Sequence, residues 1–242
     1  MHRYWPLLLL LASVWGASYL FIKVAVDGGI EPAPLMCARA GIAGAVLFGY
    51  VLRSFGRTRA LAELRRSWRQ WVAIGMIANA LPFWLVAWGE THIDSGVAAI
   101  AQSTIPLFTI VLGLRFLPHE PLSRAQLLGF GLGLVGVGVL AGGHPGGGWW
   151  GVAGTLAVVL SSLAYASGSV IGQRSVSGTP GPVLATGAMI AATLTLLPFA
   201  VLLDEAITAA ALAGLGLILA GVALGSGVLR RATSATAEVP AR

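Results

Sequence analysis

The residues best placed to do chemistry are charges and amides inside long apolar runs. Lys23 and Arg39 each interrupt such a run, and a cation in hydrocarbon is costly unless it reaches the interface or finds a partner. Lys23 lies near the end of its run, where its stem alone would let the ammonium reach the interface. Arg39 sits about a turn deeper. It is expected to face a cavity, holding an anionic group or pairing with Glu90. Glu90 and Asp94 flank a short connection and read most simply as solvated. Glu120 and Glu205 begin helical patterns, where a carboxylate caps free amide groups; proton coupling is the sharper reading of all three glutamates, Glu90, Glu120 and Glu205. Asn79 and Gln102 should point inward, because an unsatisfied amide costs several kcal/mol in lipid. Hydrogen bonding between helices would satisfy them. With Trp15, Tyr19, Trp84, Trp88 and Tyr165 they would line a cavity suited to a planar or cationic small molecule.

Other chemistries are missing from the pattern. No His/Cys spacing suits a metal, no glycine loop suits a phosphate, and no nucleophile sits in a base-bearing motif; neither a cofactor nor an enzyme activity is expected. Cys37 is the sole cysteine and reads as a buried thiol.

These residues sit in a chain of 242 residues, of which 57% are hydrophobic and 10% charged. A soluble domain carries about a quarter of its residues charged, so lipid is the expected solvent. Eight spans of about 20 residues fit a hydrocarbon core roughly 30 Å thick: 5–26, 34–52, 71–90, 95–115, 124–142, 149–172, 182–203 and 206–229. The first run is too long for a cleaved leader and reads as a retained helix. Pro82, Pro106 and Pro198 are expected to kink their spans.

Charge placement tests this map independently of hydropathy. The net charge of +6 comes from fourteen Arg and one Lys. With a cytoplasmic N-terminus, alternate connections hold thirteen of the fifteen cations, and the others hold none. That pattern predicts a multi-pass protein of a bacterial plasma membrane, both termini cytoplasmic, and argues against nucleic-acid binding. Segment 53–70, with six of the arginines, reads as a solvated basic loop; an amphipathic interfacial helix using Leu61, Leu64 and Trp68 is the alternative. Trp5, Trp68, Trp71, Trp149 and Trp150 read as interfacial anchors.

Two stretches repeat at an offset of 85: Glu120-Pro121-Leu122-Ser123 with a glycine-rich run to Val137, and Glu205-Ala206-Ile207-Thr208 with a similar run to Val222. On this topology the copies are inverted, an arrangement that secondary carriers use to open a site to alternate sides. Gly129-x-x-x-Gly133 and Gly221-x-x-x-Gly225 suit close backbone packing, within the bundle or across a homodimer.

The sequence resembles the EamA-type proteins of the drug/metabolite transporter superfamily. The resemblance rests on Trp15-Gly16-Ala17-Ser18 with Lys23, Arg39, Pro106-Leu107-Phe108-Thr109, Glu120-Pro121-Leu122-Ser123 with the glycine-rich run, Leu163-Ala164-Tyr165-Ala166 and the Glu205–Val222 stretch. It implies an all-α polytopic fold and a permease or exporter of a small metabolite or drug, working by alternating access, with proton exchange as one form of coupling. Members of that family usually carry two five-helix repeats. This chain reads as 5 + 3: a first repeat over 1–142, an incomplete second over 149–229 and a cytoplasmic tail over 230–242. Pro106 precedes Glu120 by fourteen residues and Pro198 precedes Glu205 by seven, as though material between them were deleted. The alternative to a working carrier is therefore a shortened, transport-inactive homologue or a membrane partner subunit.

Overall fold

The computed structural model describes residues 5–116, 148–175 and 178–202, with isolated helical positions between 125 and 139. The described residues form helices joined by short turns, with no strand among them. They are α1 (Trp5–Asp27), α2 (Pro32–Phe55), α3 (Arg57–Arg66), α4 (Trp68–Gly75), a π turn (Met76–Ala80), α5 (Leu81–Glu90), α6 (Ser95–Gln102), α7 (Ile105–Phe116), α8 (Gly148–Ser175) and α9 (Gly181–Leu202). α4, the π turn and α5 run on as one span, and α6 with α7 as another. Six segments are long and apolar enough to cross a bilayer, at the positions expected for 5–26, 34–52, 71–90, 95–115, 149–172 and 182–203. The expected spans 124–142 and 206–229 lie largely or wholly outside the described residues, as do Glu120, Glu205 and Gly221-x-x-x-Gly225.

The exterior is apolar. Along α1, Leu8, Leu9, Trp15, Leu20 and Val24 are exposed, a face that only lipid accepts. Inside, α9 packs along α2, α8 along α5, and α1 against α5 and α6. Lipid tails are as apolar as leucine, so these helices associate through close packing, which favours small residues. At the α5–α8 crossing Gly89 and Gly154 face each other: a Cβ on Gly89 would lie 2.9 Å from the Gly154 carbonyl oxygen, and one on Gly154 the same distance from the Gly89 oxygen. Gly75 meets α9 as closely, with the Ala188 oxygen 2.5 Å from where its Cβ would be. Of the first glycine pair singled out in the sequence, Gly133 adjoins the Leu107 side chain, and a Cβ on Gly129 would meet nothing within 4 Å among the described residues.

Segment 57–66 is helical, not the solvated loop expected. Ala60 and Leu64 are buried with Val51 and Val183, and a free loop would leave that apolar pair in water. Trp71 is held within the bundle. Its indole Nε1 donates to the Leu64 carbonyl at 2.8 Å and its ring lies against Gly187, so it locks the foot of α4 to α3 and α9. Trp5, Trp68, Trp149 and Trp150 are exposed.

Candidate functional site

The two spans of the first half with a proline in their interior, Pro82 and Pro106, lose regular α geometry. Pro82 has no N–H to give the Ala78 carbonyl, and the turn before it widens: the Leu81 N–H bonds to the Met76 carbonyl, five residues back. Asn79 sits in this turn, half-buried, its Nδ2 donating to the Ile74 carbonyl at 3.3 Å. It therefore satisfies its own helix, not a neighbouring one. In the next span, Ser103 and Thr104 separate α6 from α7. Their hydroxyls donate back to the Ile100 and Ala101 carbonyls at 2.6 and 2.7 Å. Pro106 removes the helical donor for the Gln102 carbonyl, and Ser162 Oγ on α8 lies 3.5 Å from that oxygen. The Gln102 side chain is buried, and its Oε1 accepts from Ser161 Oγ at 2.9 Å. This is the interhelical hydrogen bond expected of it.

A polar cluster is built from four helices. α1 contributes Tyr19, α2 Arg39, α5 Phe83 and Glu90, and α8 Tyr165. The Arg39 guanidinium carbon lies 5.2 Å from the Phe83 ring centroid, a cation–π distance. The Tyr165 ring is tilted against Phe83 with centroids 6.5 Å apart. The Tyr19 hydroxyl is within electrostatic reach of Tyr165, Glu90 and Arg39. Tyr19 also packs against the two buried clusters on either side of it.

Glu90 corrects two expectations. It is not solvated at the end of its span: the residue is 0% exposed, and neither carboxylate oxygen has a hydrogen-bond partner among the described residues. Nor is it paired with Arg39, whose guanidinium is committed to Phe83. The cation nearest by geometry is Lys23, whose Nζ donates to the Glu90 main-chain carbonyl at 2.9 Å and pairs with Asp27 at 3.0 Å. Lys23 thus ties α1 to the end of α5. Asp94 is exposed, as expected.

The other aromatic candidates separate from this cluster. Trp15 is 64% exposed and faces away from the described bundle, apart from this cluster. Trp84 and Trp88, one turn apart on α5, form a second column. Their rings stack at 6.3 Å, His92 follows at 4.6 Å from Trp88, and Trp150 at 5.2 Å from His92. The structure therefore brings together Tyr19, Arg39, Glu90 and Tyr165, places Gln102 at the neighbouring break, and puts Trp84 and Trp88 on another face. Phe83 and Lys23 complete the cluster without having been named among its lining residues. Helical arithmetic carries part of this: Phe83, Ala87 and Glu90 share one face of α5, and Trp84 and Trp88 the adjacent one.

The sequence profile of the EamA-like transporter family matches residues 3–142, more than half of the chain. The chain belongs to this family. It is 28% identical over 200 residues to an uncharacterized inner membrane transporter, YedA, of Escherichia coli K12, covering 81% of this chain and 61% of that protein. It is 25% identical over 207 residues to a probable amino-acid metabolite efflux pump of Salmonella typhimurium, covering 80% of this chain and 61% of the relative. A probable terminal-alkyne amino-acid exporter of Streptantibioticus cattleyicolor is 30% identical over 146 residues, 58% of this chain and 46% of the exporter. The EamA-like chain thus spans about three-fifths of the length of the relatives it matches over most of its own. It is a multi-pass membrane protein.

Proposed function

We propose that the protein is a secondary carrier that exports a small zwitterionic metabolite of amino-acid type. The observation that carries this reading is the buried cluster: a cation on an aromatic face (Arg39 on Phe83) and a carboxylate without a partner (Glu90), in one bundle interior. A substrate carboxylate fits the planar guanidinium, which offers a fork of donors. A substrate ammonium fits Glu90. Two of the relatives are named for amino-acid substrates, and family membership favours transport over catalysis.

A buried carboxylate with no partner carries a desolvation penalty of several kcal/mol, and two events remove it: protonation, or arrival of a cation. Exchange of a proton for the substrate ammonium at Glu90 would couple export to the proton gradient. Charged and titratable groups around it are Lys23, Asp27 and Tyr19 from α1 and Arg39 from α2, with Tyr165 of α8 beyond Tyr19 and Arg39. The two irregular turns, at Met76–Ala80 and Ser103–Thr104, are where the spans would flex as the site changes sides. Cytoplasmic termini and the inverted 5 + 3 repeat belong to the same reading.

The test is counterflow in proteoliposomes loaded with mixed amino acids. Labelled substrate should accumulate against unlabelled substrate in wild type, and Arg39→Ala should abolish it. The interval from Pro198 to Glu205, half that from Pro106 to Glu120, favours one second reading, that of a homologue or partner subunit that no longer carries substrate. It predicts substrate binding without counterflow.

A further inference from the structure

We propose that α3 is a docking surface for anionic phospholipid headgroups, phosphatidylglycerol above all. Arg57, Leu61 and Arg65 follow one another at helical spacings of four, which sets them along one side of α3, and Trp68 opens α4 just past the turn at Ser67, with the Arg69 guanidinium 5.4 Å from its ring. Arg57, Leu61, Arg65 and Trp68 are exposed. Arg59 and Arg66 are exposed on the opposite flank, and no ion pair engages any of these arginines among the described residues. The only acid between 53 and 69 is Glu63. The inner side of α3 is already occupied: Ala60 and Leu64 pack on Val51 and Val183.

Charge and apolarity on the same stripe identify the occupant. A dissolved anion would need the arginines alone, and it leaves Leu61 and Trp68 uncovered. A lipid takes both: its phosphate meets the guanidinium forks, and its glycerol and upper acyl carbons cover the leucine and the indole. α3 is tethered at both ends to spans, through Phe55 of α2 and Trp68 of α4, which holds it at headgroup depth. This surface is separate from the polar cluster and does not depend on the transport reading.

Native mass spectrometry of the full chain in detergent, titrated with phosphatidylglycerol and with phosphatidylcholine of the same acyl chains, tests it. Wild type should retain the glycerol lipid preferentially. Arg57→Gln with Arg65→Gln should weaken that retention tenfold or more, at about fivefold per charge, with phosphatidylcholine unaffected. Leu61→Ser should weaken both lipids. On the wild-type protein, raising the salt should weaken phosphatidylglycerol retention alone, a measurement that needs no variant to fold. Unchanged preference in the double variant overturns the proposal, as does salt-independent retention in wild type. Displacement of the lipid by equimolar inorganic phosphate also overturns it, because that would make α3 a simple anion site.

Discussion

Glu90 is a carboxylate enclosed by the bundle with neither oxygen bonded, so its neutral isostere should be tolerated better than the native residue. Glu90→Gln is expected to leave expression intact and to raise the thermal unfolding midpoint in detergent; a fall of several degrees would mean that the charge is compensated. The same variant should bind substrate weakly and lose the pH dependence of counterflow, while retained pH dependence would remove Glu90 from coupling. Arg39 makes a complementary case. Arg39→Lys keeps the charge but lacks the planar fork, so half-saturation should rise about tenfold or more, since hydrogen bonds to charged groups are worth roughly 1.5–3 kcal/mol. Initial-rate counterflow over a range of substrate concentrations reads this directly. Most of the cluster was visible in the sequence, since charges inside apolar runs stand out wherever they occur. Phe83 was not, because one phenylalanine among the Leu, Val and Trp of its span differs in no property that composition reveals. The partner of Arg39 was missed for a related reason: which of two groups a guanidinium meets depends on helix rotation, and hydropathy does not fix rotation.

Among the helices, close packing sets the tolerance to substitution. Gly154→Val would drive a side chain into the Gly89 carbonyl and His92, and neither backbone has room to yield. It should prevent a monodisperse peak in size-exclusion chromatography. Gly96→Ala, with nothing within 4 Å of its added carbon, should behave as wild type. At the break in the fourth span, Ser161→Ala deprives Gln102 of its donor and should cost roughly 0.6–2 kcal/mol, the usual range for a hydrogen bond between membrane helices, read from thermal unfolding in detergent. Proline positions announced that these spans depart from ideal geometry, yet not how. Pro82 is accommodated by a wider turn and Pro106 by a two-residue interruption sealed by hydroxyls, and the choice between them follows from what faces each turn. Asn79 closes a bond inside its own span, and Ser162 of another helix reaches the Gln102 carbonyl. Such partners come from elsewhere in the chain or from local register, beyond the reach of a hydropathy profile.

For the whole molecule, six spans coincide with the expected ones because length and apolarity alone decide whether a segment can cross a bilayer. Segment 57–66 was misjudged because its six neighbouring arginines outweighed Ala60 and Leu64 in the sequence, whereas in the folded protein that small apolar pair finds Val51 and Val183. The reading of a 5 + 3 inverted repeat gives a prediction at this scale. Should the halves rock to alternate access, the seam between α2 and α9 must shear, since it is the longest helix pairing in the described bundle. Restraining it by a cross-link between introduced cysteines at Gly44 and Met189, whose Cβ positions would lie 3.3 Å apart, should arrest counterflow while leaving substrate binding intact. Continued exchange in the cross-linked protein would rule out movement there.

The same seam already contains an intrinsic reporter. Cys37, the chain's sole thiol, is buried at the top of α2 with its sulfur 3.7 Å from the Thr193 carbonyl of α9. A maleimide offered in the resting state should find it shielded, and any substrate that spreads the two helices would speed the alkylation. The unmodified polypeptide therefore comes equipped to time its own opening, with no background residue to silence first.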